Sequence, residues 1–355
     1  MNTNEKFLYK YLNNASPTGF EASGQQIWLD YIKPFVDDYF TDAYGTAVGV
    51  INPDAKFKVV IEAHADEISW FVNYITPEGY IYVIRNGGSD HMIAPSMRVN
   101  IHTDKGVVPG VFGWPAIHVR DKAKEETPKM ENIFIDIGAR SKEEVLEMGV
   151  HVGSVITFND ELTELNKKFY SGRALDNRIG GYMIAEVARL LKEQKVELPF
   201  GLYIVNAVQE EIGLRGAEMI AARIKPDVAI ITDVCHDTTA PMYSKIASGD
   251  YTAGKGPVLT CGAAVHKKLL DLIIDSAKKE DIPFQRSASS RSTGTDTDAF
   301  AYSNGGVPAA LISLPLKYMH TTVETASKED IKNVIDLMIA FLKDFDLNFD
   351  FRYVK

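Results

Sequence analysis

Five side chains of this 355-residue chain are of the kind that hold a divalent cation: His64, Asp176, Glu211, Asp233 and His320. Each falls where a predicted element ends or begins. His64 closes the apolar run Lys58-Val59-Val60-Ile61-Glu62-Ala63-His64, and Glu210-Glu211 follow a strand running from Leu202 to Val208. Asp233 closes Val228-Ala229-Ile230-Ile231-Thr232, His320 follows the apolar segment Ala309 to Leu316, and Asp176 stands at or near the start of a helix. In open α/β sheets, reactive groups gather just past the carboxyl ends of the strands. His, Asp and Glu are the ligand set of zinc, cobalt or manganese. Taken singly, each has a plain structural role, Asp176 as an N-cap for example. At one edge of one sheet, five such groups without nearby cations repel one another unless a metal ion neutralises them.

The ligand count points to two ions. A catalytic metal takes about three protein ligands and keeps a position open. Two histidines and three carboxylates serve two ions when one carboxylate bridges, at a separation of about 3.5–4 Å. Glu210, beside Glu211, is then free to act as general base toward a water. Asp66, two residues after His64, is placed to accept the imidazole's other N–H.

The elements that must position these groups alternate as an α/β fold. Helical spacing over 4–14 and 20–38 precedes the first buried strand. After about 165, helices near 174–193, 213–223, 264–279 and 327–345 alternate with the strands above. That pattern predicts a mainly parallel central sheet covered by helices. Between them, short β-rich runs (Trp70 to Ile75, Tyr80 to Ile84, Arg98 to His102, Val107 to Phe112, Ile133 to Ile137, Ser154 to Phe158) predict an inserted barrel or sandwich. One helix interrupts them, opened by Ser141 with Glu144 three residues on and closed by Gly149. The expected division is a catalytic α/β domain over 1–66 and 166–355 with a β-rich insertion over 67–165.

Composition narrows the partners. A net charge of −10, with 38 Lys+Arg against 48 Asp+Glu, argues against nucleic acid and against an anionic membrane surface. Two cysteines, Cys235 and Cys261, cannot form a disulfide framework, which fits a reducing cytoplasm. No basic-then-apolar leader and no membrane-length apolar run is evident. Neither a His-Glu-x-x-His pair nor a phosphate-binding Gly-Lys-Ser/Thr loop is present. Gly254-Lys255-Gly256-Pro257 reads as a structural loop, and His91, His118 and His236 as structural histidines. Cys235 reads as an unreactive half-buried thiol.

The motifs His64-Ala65-Asp66-Glu67-Ile68, Ala174-Leu175-Asp176-Asn177-Arg178, Val208 to Ala217, Asp233, Gly294-Thr295-Asp296 and Met319-His320 stand in an order that resembles the glutamyl aminopeptidase family. These are the tetrahedral (TET-type) dinuclear metalloaminopeptidases, some once labelled cellulases or endoglucanases. The resemblance implies one ion, zinc or cobalt, held by His64, Asp176 and Asp233. It implies a second held by Asp176, Glu211 and His320, with Asp176 bridging. Glu210 would be the proton acceptor and Asp66 the residue behind His64. It further implies short peptide substrates, dimerisation through the insertion and a homo-oligomer assembled as a hollow dodecamer. Two positions depart from the usual pattern: Ser69 in place of Gly, and Thr297-Asp298-Ala299 after Asp296.

Three other readings compete. A related dinuclear carboxypeptidase or deacylase would use the same centre. A glycosidase needs two carboxyls about 5–9.5 Å apart across a sugar bond, which consecutive glutamates on an extended chain do not offer, and it would leave the histidines unexplained. A peptide-binding scaffold would be expected to lack at least one ligand.

Overall fold

The computed structural model describes residues 3–121 and 126–354. Among them runs an 11-stranded sheet, and at its centre Gly201–Ala207, Lys58–His64, Val228–His236 and Ala309–Lys317 lie side by side and parallel. Their β-branched and alanine-rich runs are buried almost throughout, as strands covered on both faces require. The margins are antiparallel. Ala47–Ile51 and Asp38–Thr41 extend one side, while Glu324–Ser327, Phe169–Gly172 and Thr163–Leu165 extend the other. Val258–Gly262 and Gln285–Ser289 branch from Ala309–Lys317.

Helices close the core. Leu175–Glu193 crosses Lys58–His64 and packs against Thr3–Asn13, Ala22–Ile32 and Lys328–Asp344. Trp28, fully buried, donates its indole N–H to Gly181 O at 2.8 Å, tying the second helix to Leu175–Glu193. The helix spacing expected over 20–38 gives way early: Ala22–Ile32 is α-helical, Lys33–Phe35 is a 3₁₀ turn around Pro34, and Asp38 begins a strand.

The strands between Ser69 and Phe158 form a separate closed barrel around Trp70, Phe112 and Phe158. Its one helix, Lys142–Glu147, is capped as its sequence predicts. Ser141 Oγ accepts Glu144 N at 3.2 Å, and Gly149 takes the left-handed φ of +91° after its end.

Candidate metal centre

All five expected ligands converge where the parallel strands end. His64 is the last residue of its strand. Asp233 lies inside its strand rather than at its end, because Val228–His236 continues along Ala309–Lys317 as far as His236↔Leu316. Its pairing with Lys58–His64 stops at Ile231↔Glu62. Asp233 therefore stands where one neighbouring strand has fallen away, and its carboxylate Oδ1 lies 3.9 Å from His64 Nε2.

Asp176 sits between the two histidines. Its Oδ1 is 3.2 Å from His64 Nε2 and its Oδ2 is 3.4 Å from His320 Nε2. Asp176 and Asn177 carry non-helical dihedral angles and are joined by a cis peptide bond, so the regular helix starts just beyond them. Asn177 Nδ2 donates to Thr232 O at 2.7 Å and pins this start to the strand carrying Asp233.

The glutamates come from the turn after Gly201–Ala207. Gln209 and Leu214 adopt left-handed φ, Gly213 N donates to Glu210 O at 2.8 Å, and Gly216 N donates to Val208 O at 2.9 Å. A Cβ on Gly216 would sit 2.2 Å from Val208 O, so the close return of the chain requires glycine there. The two side chains then diverge: Glu210 Oε2 lies 3.8 Å from His64 Nε2, and Glu211 Oε2 lies 3.6 Å from His320 Nε2.

Asp66 is more deeply engaged than its place behind His64 suggested. One oxygen lies 3.3 Å from His64 Nδ1 and accepts Glu210 N at 3.0 Å; the other accepts Glu211 N at 3.2 Å and Thr18 Oγ1 at 2.9 Å. A single buried carboxylate thus orients three site residues.

The electrostatics fit cations. No lysine or arginine lies within ion-pair distance of Asp176, Glu210, Glu211 or Asp233 among the described residues; their partners are His64 and His320. Burial pushes the Asp233 and Glu211 carboxyls well above the usual range, with Asp176 adding repulsion, and pushes Glu210 up to about 8. Against burial, Asp176 and Asp66 hold His64 well above its ordinary value. Two triads, His64/Glu210/Asp233 and His64/Asp176/Glu211, bring one ligand atom from each member within 4.8 Å of the others. His320 stands beside the second of them. The donor set fits a pair of divalent ions.

Several contributors were not evident from local patterns. Gly88, from the barrel, abuts His320: a Cβ there would fall 2.5 Å from its Nδ1. Gly88→Ala is therefore expected to push the imidazole off Asp176 and weaken ion binding by about tenfold or more, read by zinc titration against a chelator. Beneath the centre, Glu62 and Asp296 face each other fully buried, and burial pushes Glu62 up to about 8. Asp296 thus underlies the site rather than lining it.

The two unusual stretches serve local structure. Ser69 Oγ accepts Asn86 Nδ2 at 2.8 Å within the barrel, and Asp298 accepts the N–H groups of Thr293 and Gly294 at 2.9 and 3.2 Å. Gly254 and Gly256 donate to the Asp330 carboxylate, which accounts for that loop. His91 and His118 do not line the cavity over the centre. His236 and Cys235 do, and burial pushes the Cys235 thiol up, away from the thiolate that a nucleophile needs. The cavity measures about 610 Å³ and is walled beyond the ligands by Thr260, Ser287, Ser289, Thr293 and Met319.

Residues 45–337 match the model of the M42 glutamyl aminopeptidase family. The chain is 34% identical to the lysyl aminopeptidase of Pyrococcus furiosus, over 96% of both chains. Its fold matches the crystal structure of a TET aminopeptidase from a marine-sediment thaumarchaeon, with a TM-score of 0.92 and 30% identity over 97% of both chains. It also matches the TET1 peptidase of Pyrococcus horikoshii, which can assemble into a tetrahedron or a large octahedral shell. There the TM-score is 0.85 and identity 28%, over 97% of this chain and 100% of that one.

Proposed function

The chain belongs to the M42 glutamyl aminopeptidase family and is an aminopeptidase, and from that premise we propose that it removes N-terminal residues from short peptides through a dinuclear centre. One ion would be held by His64, Asp176 and Asp233, the other by Asp176, Glu211 and His320. When bound, a pair of divalent ions would polarise the scissile carbonyl and lower the pKa of a bound water. Glu210 takes the water proton and returns it to the leaving amine. Asp66 holds His64 in orientation and fixes the backbone from which Glu210 and Glu211 project.

The observation that carries this reading is Asp176, whose two oxygens face two different histidines at 3.2 and 3.4 Å, as a bridging carboxylate must. Zinc or cobalt suits the imidazole and carboxylate donors. Further parts of the proposal concern the whole molecule. Residues 1–66 and 166–355 would form the catalytic domain and 67–165 the dimerisation domain, on which Tyr74, Ile84, Ile117 and Val119 are exposed. Such apolar groups suit a buried contact with a second copy, and the likeness to a shell-forming peptidase supports assembly into a dodecamer. No helix among the described residues is long and apolar enough to cross a membrane, and the acidic, cysteine-poor chain suits the cytoplasm.

The test is a set of short peptides, each free or N-acetylated, with and without EDTA. Release of the N-terminal residue from free-amine peptides alone, abolished by EDTA and restored by zinc or cobalt, is the expected result. Release of acetate would favour a deacylase, release of the C-terminal residue a carboxypeptidase, and activity that survives EDTA would overturn the dinuclear reading.

A further inference from the structure

Glu324 lies four residues after His320, in the short strand Glu324–Ser327, and is 2% exposed. It is not among the ligands. Its Oε1 accepts the backbone N–H of His320 at 2.7 Å, and its Oε2 accepts the backbone N–H of Asp176 at 3.0 Å. One carboxylate therefore joins two residues from distant parts of the chain, and both belong to the proposed centre. His320 most needs such a tie. It lies outside any helix or strand and holds a left-handed φ of +62°, as Tyr318 does at +61°. Without a fixed backbone, its ring would be set only by Gly88 and by the side chains of Asp176 and Glu211.

We propose that Glu324 is a positioning residue that sets the spacing between His320 and Asp176, and through it the affinity for the ion those two residues share. The inference rests on the dinuclear reading given above. The chemistry of the side chain supports a specific role. Burying a carboxylate with no cationic partner is costly, so a packing role alone would be served better by a neutral residue of similar shape. What a carboxyl group supplies is two oxygens on a rigid fork, one for each backbone N–H. Glutamine offers one acceptor and turns an NH₂ toward the remaining N–H, donor against donor. Asp66 provides the same service on the opposite side of the site, for Glu210 and Glu211. The centre is thus held between two buried carboxylates that each accept two backbone N–H groups from it.

Glu324→Gln in the full chain tests this by zinc titration against a chelator, alongside the visible spectrum of the cobalt-loaded protein and the melting curve of the metal-free protein. The expected result is a loss of about 10–100-fold in affinity for one of the two ions, with an altered cobalt spectrum and a preserved cooperative melt. Two ions bound with unchanged affinity by folded Glu324→Gln would overturn the role of Glu324. Should that variant not fold, Glu324→Asp keeps both oxygens on a shorter arm: a loss of about tenfold or more is expected, and unchanged affinity would overturn the role equally. A wild-type protein that binds no ions would instead sink the dinuclear reading, so the two failures are told apart.

Discussion

Glu210→Gln is expected to lower turnover by about 10²–10⁴-fold, the usual worth of a positioned general base, while two ions stay bound. The substitution keeps the side chain's length and shape and removes only its capacity to take a proton. Backbone contacts are untouched, since Glu210 N still donates to Asp66 at 3.0 Å and Glu210 O still receives Gly213 and Leu214. The same geometry makes the outcome decisive, because Glu210 also forms a compact triad with His64 and Asp233. As a ligand, its replacement would release one ion. As a base, it would leave metal content intact and reduce kcat with KM little changed. Metal analysis beside steady-state kinetics separates the two. Near-normal turnover with full metal content would remove Glu210 from the chemistry.

The division between what the sequence made legible and what it hid follows the range of the forces involved. Doubly buried parallel strands announce themselves as unbroken apolar runs, and the barrel strands as short runs between turn residues. Both patterns are local, and both are observed. The marginal strands were silent for the same reason. Asp38–Thr41 is mostly exposed, Gln285–Ser289 is half-exposed and polar, and Thr163–Leu165 is only three residues long. Their pairing depends on a neighbour already in place. The meeting of His64, Asp176, Glu211, Asp233 and His320 was legible because ionisable groups gathered at strand ends and a helix start are hard to accommodate without a cation. Asp233 was displaced by three residues from its expected strand end, since strand length is set by the longer of two neighbours. Glu324 and Gly88 were hidden. A carboxylate that accepts the backbone N–H of a residue 148 positions away leaves no periodic trace, and a glycine made necessary by an imidazole from another part of the chain looks like any other loop glycine. The spacing His320 to Glu324 was the one available signal.

Asp176→Ala should cost both ions together, with activity lost to the limit of detection. Every other proposed ligand serves one ion, so its loss should leave a mononuclear protein; Asp233→Ala, which removes only the carboxylate 3.9 Å from His64, is the natural contrast. At Asp176 the two carboxylate oxygens diverge toward His64 and His320, and no other acid among the described residues lies within 4 Å of both imidazoles, since Glu210 is 3.8 Å from His64 and Glu211 is 3.6 Å from His320. The electrostatic balance of the remaining site changes in the same sense. Although burial opposes it, hydrogen bonds from His320 and His64 keep Asp176 ionised well below the usual carboxylate range. It is therefore the group most ready to supply negative charge, whereas burial keeps Asp233 and Glu211 prone to hold protons. Taking Asp176 away removes that charge; its repulsion of Asp233 and Glu211 goes with it, but their burial remains, and an ion would still have to displace protons held by buried carboxyls to enter. The affinity loss should exceed the roughly 10–100-fold of outer contacts such as Glu324, and it should appear as a stoichiometry near zero rather than near one. Retention of a single tightly held ion by Asp176→Ala would show that the two positions fill independently and that no carboxylate bridges them.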